Sequence, residues 1–414
     1  MIKAFFKMST AGLLSQIIAF ISSIYLTKLY SPEEFSNYVV YISIITICQG
    51  LVTGKYELAM LSAKKEKESA ALFIISNIIC IFFLVIGVVF ISLSSIFIET
   101  SDVIFYLITC ISIIAFGLNN TFLYYFNKRY SYNIISSCKV IQSLVFAIAA
   151  IFLGYVGYLE NGMIYAYMLS LFLLLILYML LGKINFEDKA ANINLLYLFA
   201  VARKNIEFLK FNASTTVLTG SLNNLPILLL SVFSYNNLMG LYGFVVKIVG
   251  APVNFMSAAI SQIHMRKVVE IVHNKESLFE YLIKSFIALL LLGQIVNITI
   301  LLFSEYFITT FFDERWHGTI WIIKIMSTTI LFKFSVVSIS GTLSALQRNK
   351  LLGGWKLISF VAGISILPFC LMSFSAKYFM VSVAIFEIVI YLSLLILLIK
   401  ASMDYDRTLK TRVK

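Results

Sequence analysis

The chain has 414 residues, of which 60% are hydrophobic and only 13% are charged, and its formal net charge is +12. Soluble domains carry about 45–50% apolar and about 25% charged residues, so much of this chain must lie in lipid and not in water. The basic residues form short clusters between apolar runs. This pattern excludes the continuous basic surface of a nucleic-acid-binding domain, and no nucleic acid is expected as a partner.

A helix needs about 20 mostly apolar residues to cross a bilayer. The chain contains twelve runs of about that length. They are Ser9–Leu29, Ser36–Met60, Ala70–Ser94, Val103–Phe126, Ile134–Tyr155, Gly162–Leu181, Asn212–Ser234, Leu238–Ile263, Leu282–Ser304, Gly318–Gly341, Gly353–Phe374 and Tyr378–Ile399. The first run is too long for a signal peptide and no small-residue cleavage site follows it, so we interpret it as a span. The sequence therefore predicts an all-α polytopic membrane protein.

Lysine and arginine are concentrated in alternate connections between these runs. One set of connections contains clusters such as Lys64–Lys65–Lys67 and Arg266–Lys267, and both termini are basic as well. The opposite set contains mainly aspartate and glutamate. Because cytoplasmic loops carry an excess of lysine and arginine, we expect an even number of spans with both termini in the cytoplasm.

Two short segments, Thr27–Tyr41 and Ser231–Val246, resemble each other at equivalent places in the two halves. Each follows a span, forms a short external turn and opens a second span with an aromatic patch; a shift of 204 residues places Tyr38 on Tyr242. In the first copy, Pro32 prevents the preceding helix from continuing, and the acidic residues after it favour the start of the next. The repeat predicts two six-helix lobes related by an axis along the membrane normal.

The predicted domains follow from this repeat. They are an amino-terminal lobe at 1–182, a cytoplasmic linker at 183–210, a carboxy-terminal lobe at 211–400 and a cytoplasmic tail at 401–414. The apolar middle of the linker, Leu195–Ala202, fits either an amphipathic surface helix or simply part of a flexible connection. We favour the flexible connection.

Ionisable residues inside the predicted spans are candidate site residues, because charges at bilayer depth are costly and usually line a bundle interior or a wet cavity. The candidates for substrate binding are Lys55, Lys139, Lys247, Lys324 and Lys333, and the candidates for ion coupling are Glu57 and Glu387. The excess of lysine predicts an anionic ligand, and a diphosphate fits it because lysine acts as a point charge for phosphate. Lys55, Glu57 and Lys139 are near cytoplasmic span ends, where extension of the side chain to the interface explains them equally well. Glu387 fits either a fixed partner for a lysine or a carrier of protons or sodium.

The seventh predicted span contains the sequence "TGSLNNLP". Gly220 and Pro226 interrupt regular helix, and the adjacent amides Asn223 and Asn224 supply hydrogen bonds that suit a sugar ligand. Interrupted helices of this kind recur at substrate sites in transporters. A packing kink satisfied by neighbouring helices is the alternative explanation.

Motifs of enzymes and cofactor sites are missing from the sequence. There is no P-loop, GxSxG or GxGxxG motif, so we expect neither catalysis nor ATP hydrolysis in this chain. The five cysteines and three histidines show no disulfide or metal-ligand spacing. We therefore expect no cofactor and no metal.

Two stretches carry a family resemblance. "LYSPEEFSNYVVYISIITICQGLVTGKYELAML" before a basic loop, and "SLNNLPILLLSVF…MGLYGFVVKIVGAPVNF" at the start of the second half, resemble Wzx-type polysaccharide flippases of the multidrug/oligosaccharidyl-lipid/polysaccharide exporter superfamily. The resemblance spans nearly the whole chain. It implies two six-helix lobes around a central cavity that opens alternately to either side of the bacterial inner membrane.

The resemblance also implies a substrate and partners. The substrate would be an undecaprenyl-diphosphate-linked oligosaccharide repeat unit of O-antigen or capsule, moved by an ion gradient, and membrane lipid and other polysaccharide assembly proteins are the further expected partners. A drug/cation antiporter of the same superfamily is one alternative, although it would need acidic residues in the cavity where lysines dominate. A membrane-embedded polysaccharide polymerase or ligase is another, but it would need a sizeable external loop.

Overall fold

The computed structural model describes residues 2–94, 100–182 and 193–413, and nearly all of these residues are helical. Within them, eleven helices are long and apolar enough to cross a membrane. The chain is therefore a multi-pass membrane protein, and the all-α fold predicted from the sequence is confirmed.

The helices pack into two compact units. Unit 1 comprises Met1–Tyr30 and Asn37–Asn224, and unit 2 comprises Ser31–Ser36 and Leu225–Lys414. The sequence predicted the division in a linker at 183–210, of which 183–192 lie outside the described residues. In the structure, the division falls within the helix that follows this linker, because residues up to Asn224 still pack against unit 1.

Unit 1 is built from long helices in chain order. They are α1 (Ile2–Leu29), α2 (Pro32–Cys48), α3 (Tyr56–Ser62), α4 (Glu66–Ser94), α5 (Thr100–Lys128), α6 (Tyr132–Val156), α7 (Gly162–Gly182), α8 (Leu195–Lys204) and, after the π-helical segment Phe208–Ala213, the first half of α9 (Ser214–Val232). Helix α6 packs against both α1 and α7. A second group joins α3, α4, α5, α7 and α8 around an aromatic core that includes Phe73, Phe122, Phe126 and Tyr178.

The second predicted span, Ser36–Met60, is not one continuous helix. It ends as α2 at Cys48 and resumes as α3 at Tyr56, and the backbone between them turns through Gly54 and Lys55 with φ angles of 60° and 59°. Both angles lie in the left-handed region, which an α-helix cannot contain. The turn from Val52 to Lys55 is buried, as irregular backbone at membrane depth must be.

Unit 2 is organised around one central helix. Its helices are α10 (Asn236–Val245), α11 (Ala251–Asn274), α12 (Leu278–Phe311), α13 (Thr319–Ile339), α14 (Gly341–Ala345), α15 (Asn349–Ser373) and α16 (Ala376–Val413), with a π-helical segment at Val246–Gly250 and a 3₁₀ turn at Glu314–Trp316. Helix α13 packs against α11, α12 and α16 and is the most buried of the candidate spans. Helix α16 continues past residue 401 to Val413, so the segment predicted as a cytoplasmic tail is helical, and its place in the cytoplasm stays a prediction.

The structure brings the two similar turn segments together in unit 2. A Cβ atom at Gly240 would overlap the carbonyl oxygen of Pro32, so these two backbones are in direct contact. Beside this contact, the amide of Asn237 lies 3.5 Å from the carboxylate of Glu33. The first turn of α2 is therefore held by unit 2, which sequence similarity between the two segments did not predict.

Candidate functional site

In unit 1, the buried turn between α2 and α3 places two predicted site residues side by side. The Nζ atom of Lys55 lies 3.6 Å from Oε1 of Glu57, and the side chain of Glu57 is fully buried. Lys55 itself occupies the left-handed position that ends the turn. A non-glycine residue in that conformation is strained, and such strain is often found at functional sites.

The surroundings of Glu57 leave its carboxylate poorly satisfied. Neither oxygen accepts a hydrogen bond from the described residues, and the buried oxygens of Thr53 and Asn77 are also without donors there. Cys80 of α4 and Tyr124 of α5 lie within electrostatic reach of the carboxylate. A buried carboxylate with free acceptor positions has the chemistry to hold a proton or a hard cation.

The amides of α9 and Lys139 complete the predicted set in unit 1. Asn224 donates to Oγ1 of Thr46 at 3.0 Å and to the carbonyl of Gly220 at 2.8 Å, so it joins α9 to α2. Asn223 and Lys139, by contrast, are exposed on α9 and α6. Asn224 thus has a packing role, and its neighbour Asn223 is the amide left accessible to a ligand.

In unit 2, α13 and α16 carry a half-buried polar cluster. Lys333 lies within electrostatic reach of both Tyr391 and Glu387. Glu387 lies close to Thr329, whose hydroxyl donates to the carbonyl of Met326 at 2.7 Å. The structure therefore gives Glu387 a lysine neighbour, which is one of the two arrangements that the sequence left open.

Lys247 lies in the π-helical segment between α10 and α11. Its ammonium group is 5.4 Å from the centroid of the Phe35 ring. Phe35 belongs to an aromatic group with Phe244 and Trp316, in which the closest ring centroids are 4.4 Å apart. Single-turn π-helical segments are frequent at functional sites. Lys247 is therefore a lysine held against an aromatic surface.

Lys324 has a different environment from the other predicted lysines of unit 2. Its Nζ atom pairs with Oε2 of Glu305 at 2.7 Å, and both side chains are exposed. Glu305 lies within α12 and not in an external connection. The structure does not bring Lys324 into the cluster of Lys333 and Glu387, and its role in substrate binding stays a prediction.

Two members of the unit 2 cluster were not singled out from the sequence. Tyr391 lies four residues after Glu387, and Thr329 lies four residues before Lys333. Residues at this spacing are neighbours on a helix surface. A search of the sequence for polar residues one helical turn from each charge within a predicted span would have found Tyr391 and Thr329.

We expect Lys333 and Glu387 to be energetically coupled. Lys333→Met and Glu387→Gln should each destabilise the protein, and the double variant should recover much of the loss, because either single change leaves an uncompensated charge. Thermal unfolding in detergent should give a double-mutant-cycle coupling of about 1–3 kcal/mol. The exposed pair Lys284–Glu280, with a 2.6 Å contact, is the matched control and should give a coupling below about 1 kcal/mol. Additive losses for Lys333 and Glu387 would contradict the assignment.

Among the described residues, no three histidine, cysteine, aspartate or glutamate side chains are placed to hold a metal ion. The chemistry available is thus that of lysines, amides, tyrosines and two carboxylates.

Comparison with known protein families shows to which family the chain belongs. Residues 25–321 match the model of a family described as "Polysaccharide biosynthesis protein". The chain belongs to this family. A search of the curated proteins finds no match to the chain.

Solved transporters share the fold of this polysaccharide biosynthesis protein. The lipid II flippase MurJ in an inward closed conformation matches with a TM-score of 0.73 and 14% identity, over 98% of this chain and 90% of that one. An inward-facing multidrug resistance MATE transporter of the MOP superfamily matches with a TM-score of 0.64 and 14% identity, over 97% and 96%. A MOP superfamily transporter from Pyrococcus furiosus, described as having a binding pocket of reverse polarity, matches with a TM-score of 0.62 and 13% identity, over 99% and 96%. The predicted superfamily fold is confirmed.

Proposed function

We propose that this polysaccharide biosynthesis protein is a flippase that moves undecaprenyl-diphosphate-linked oligosaccharide repeat units of O-antigen or capsule across the bacterial inner membrane. The observation that carries the proposal is a polysaccharide family match on a chain with the fold of membrane transporters. MurJ, one of the similar structures, is described as a lipid II flippase. A lipid-linked saccharide is thus the substrate class that agrees both with a family of polysaccharide biosynthesis and with the fold of a lipid flippase.

The charge of the site residues supports an anionic substrate. The candidate residues for binding the diphosphate are Lys55 and Lys139 of unit 1, and Lys247, Lys333 and Lys324 of unit 2, each unit taken by itself. Asn223, which is exposed, would bind the sugar, while Asn224 supports the helix that carries it. Compact ammonium groups suit phosphate, because each acts as a point charge with three donors.

We propose that transport proceeds by alternating access and is coupled to an ion gradient through Glu57 and Glu387. Both carboxylates lie inside candidate spans in the predicted topology, where ionisable residues commonly mark proton or ion pathways. Glu57 is the stronger candidate, because its buried oxygens have no hydrogen-bond donor in the described residues. Basic clusters in alternate connections of the sequence support an orientation with these connections, and both termini, in the cytoplasm.

Lipid analysis of a deletion strain tests this function directly. We expect single lipid-linked repeat units to accumulate on the cytoplasmic side of the inner membrane, and the wild-type chain to clear them. Single units on the outer side would instead support the polymerase alternative. An unchanged pool would contradict the flippase and favour small-molecule efflux, the activity class of the MATE relatives.

In the same strain, complementation with Lys247→Ala should restore export poorly. The loss of a hydrogen bond to a charged group costs about 1.5–3 kcal/mol, which corresponds to about ten- to hundredfold slower clearance of the repeat unit. Lys284→Ala, which removes an exposed lysine paired within its own helix, is the matched control and should restore export fully. Equal export by both variants at equal protein levels would remove Lys247 from the site.

A further inference from the structure

A cavity of about 620 Å³ lies in unit 1, apart from the residues proposed for transport. It is formed where the connection between α3 and α4 meets α8, and its charged lining residues are Lys64, Lys65, Lys204 and Glu68. Its volume is within the range of about 300–1,000 Å³ that is usual for small-molecule sites. The lining has three ammonium groups and one carboxylate, so it favours an anion.

The cationic groups of this cavity are unevenly paired. Lys204 is bound to Glu68 at 2.6 Å, which neutralises one charge of each sign. Among the described residues, Lys64 and Lys65 are exposed and form no ion pair with a carboxylate. Next to them, the ammonium group of Lys67 lies 4.9 Å from the ring centroid of Tyr197, another lining residue. Two lysines are thus available to an incoming phosphate.

Helix α8 is fixed to unit 1 in one orientation. Asn194 caps its first turn by accepting a hydrogen bond from the backbone nitrogen of Tyr197 at 2.9 Å. Near its other end, the hydroxyl of Tyr56 donates to the carbonyl of Ala202 at 3.2 Å, and Val201 is buried in the aromatic core. The helix is therefore a structured wall of the cavity, and the flexible connection favoured from the sequence is wrong for these residues.

The opposite face of α8 is apolar and exposed. Leu195, Leu196 and Phe199 have exposed fractions of 71%, 79% and 74%. Large apolar side chains beside lysines are typical of helices that lie in the membrane interface, with the apolar face among the acyl chains and the basic residues at the headgroups. A helix lying in the interface in this way would place the cavity at headgroup level.

We propose that this cavity binds the phosphate of an anionic phospholipid from the adjacent leaflet, through Lys64 and Lys65, with the apolar face of α8 against the acyl chains. A lipid explains the site better than free phosphate does, because the cationic cavity and the apolar face of α8 lie side by side. The proposal requires only that the chain spans a membrane, so it does not depend on the transported substrate.

Native mass spectrometry of the full-length protein in detergent micelles tests the site with phosphatidylglycerol, phosphatidylcholine and inorganic phosphate as probes. We expect phosphatidylglycerol to bind more tightly than phosphatidylcholine. The double variant Lys64→Gln/Lys65→Gln should weaken phosphatidylglycerol binding by about 5- to 30-fold, because each lysine near an anionic surface contributes about fivefold.

The matched control is the double variant Lys275→Gln/Lys350→Gln, which removes the same charge from exposed basic positions of unit 2. It should leave the tight phosphatidylglycerol site unchanged. Equal weakening by both double variants would show a general charge effect and overturn the assignment. Inorganic phosphate that displaces phosphatidylglycerol at equal concentration would overturn the choice of a lipid, since the apolar face would then contribute nothing.

Discussion

Glu57→Gln is expected to abolish gradient-driven transport and to destabilise unit 1. The substitution removes the anion beside Lys55, so a buried ammonium group loses its partner at 3.6 Å. Breaking a buried ion pair on one side costs about 3–5 kcal/mol. The same change removes the only fully buried carboxylate among the described residues, which is the group proposed to take up the coupling ion.

A second variant separates the structural effect from the coupling effect. Lys55→Met/Glu57→Gln removes both charges. We expect its thermal stability to return to near the wild-type value, since replacing both members of a buried ion pair often changes stability little. Transport in proteoliposomes should nevertheless fail to respond to an imposed proton or sodium gradient. The exposed pair Lys284–Glu280 supplies the control, and its double neutralisation should change neither property.

Two results would contradict the role of Glu57. Gradient-dependent transport by the stable double variant would show that the pair is only structural. A single variant Glu57→Gln as stable as wild type would show that the carboxylate does not compensate Lys55 at all.

Gly240→Ala is expected to disrupt unit 2 more than any other glycine-to-alanine change in the described residues. An added Cβ atom would overlap the carbonyl oxygen of Pro32, and backbone on both sides leaves no flexible side chain to move away. The first turn of α2 would have to separate from α10. Overpacking of this kind typically costs about 1–3 kcal/mol or more, and we expect a clearly lower unfolding temperature and loss of export.

Gly354→Ala is the matched control for this prediction. Gly354 is also inside a helix, α15, and an added Cβ atom there would meet no atom within 4 Å. Because alanine favours helix over glycine, this variant should be as stable as wild type or more stable by up to about 1 kcal/mol. If Gly240→Ala and Gly354→Ala melt at the same temperature, the contact between Gly240 and Pro32 does not hold unit 2 together.

Most of the fold could be predicted from hydropathy, with a few instructive differences. Eleven of the twelve predicted spans correspond to helices long enough to cross a membrane in the described residues. The remaining run, Ser36–Met60, is interrupted, because Gly54 and Lys55 adopt left-handed conformations that its average hydropathy does not reveal. Glycine alone was a weak signal for this, since glycine is also tolerated within membrane helices.

The sequence predicted which types of residue form the candidate site, but not which residues contact one another. Charges inside apolar runs are visible in a sequence because their cost in lipid is a property of each residue by itself. Their partners are not visible, since Lys324 pairs with Glu305 from another helix and the neighbour of Lys333, Tyr391, also lies on another helix. Only the distances between side chains in the structure distinguish a lysine paired with a carboxylate, such as Lys324, from one held against an aromatic ring, such as Lys247.

The sequence by itself determined that this chain is an all-α membrane protein with lysine and arginine concentrated in alternate connections, because hydrophobicity and charge act locally, residue by residue. Tertiary structure alone decided the break between α2 and α3, the burial of Glu57, the contact of Gly240 with Pro32 and the docking of α8 beside Lys64 and Lys65. The burial of Glu57, the contact of Gly240 and the docking of α8 depend on residues far apart in the chain meeting in space. The physical reason is that packing and ion pairing act between helices, and a single sequence does not record which helices are neighbours.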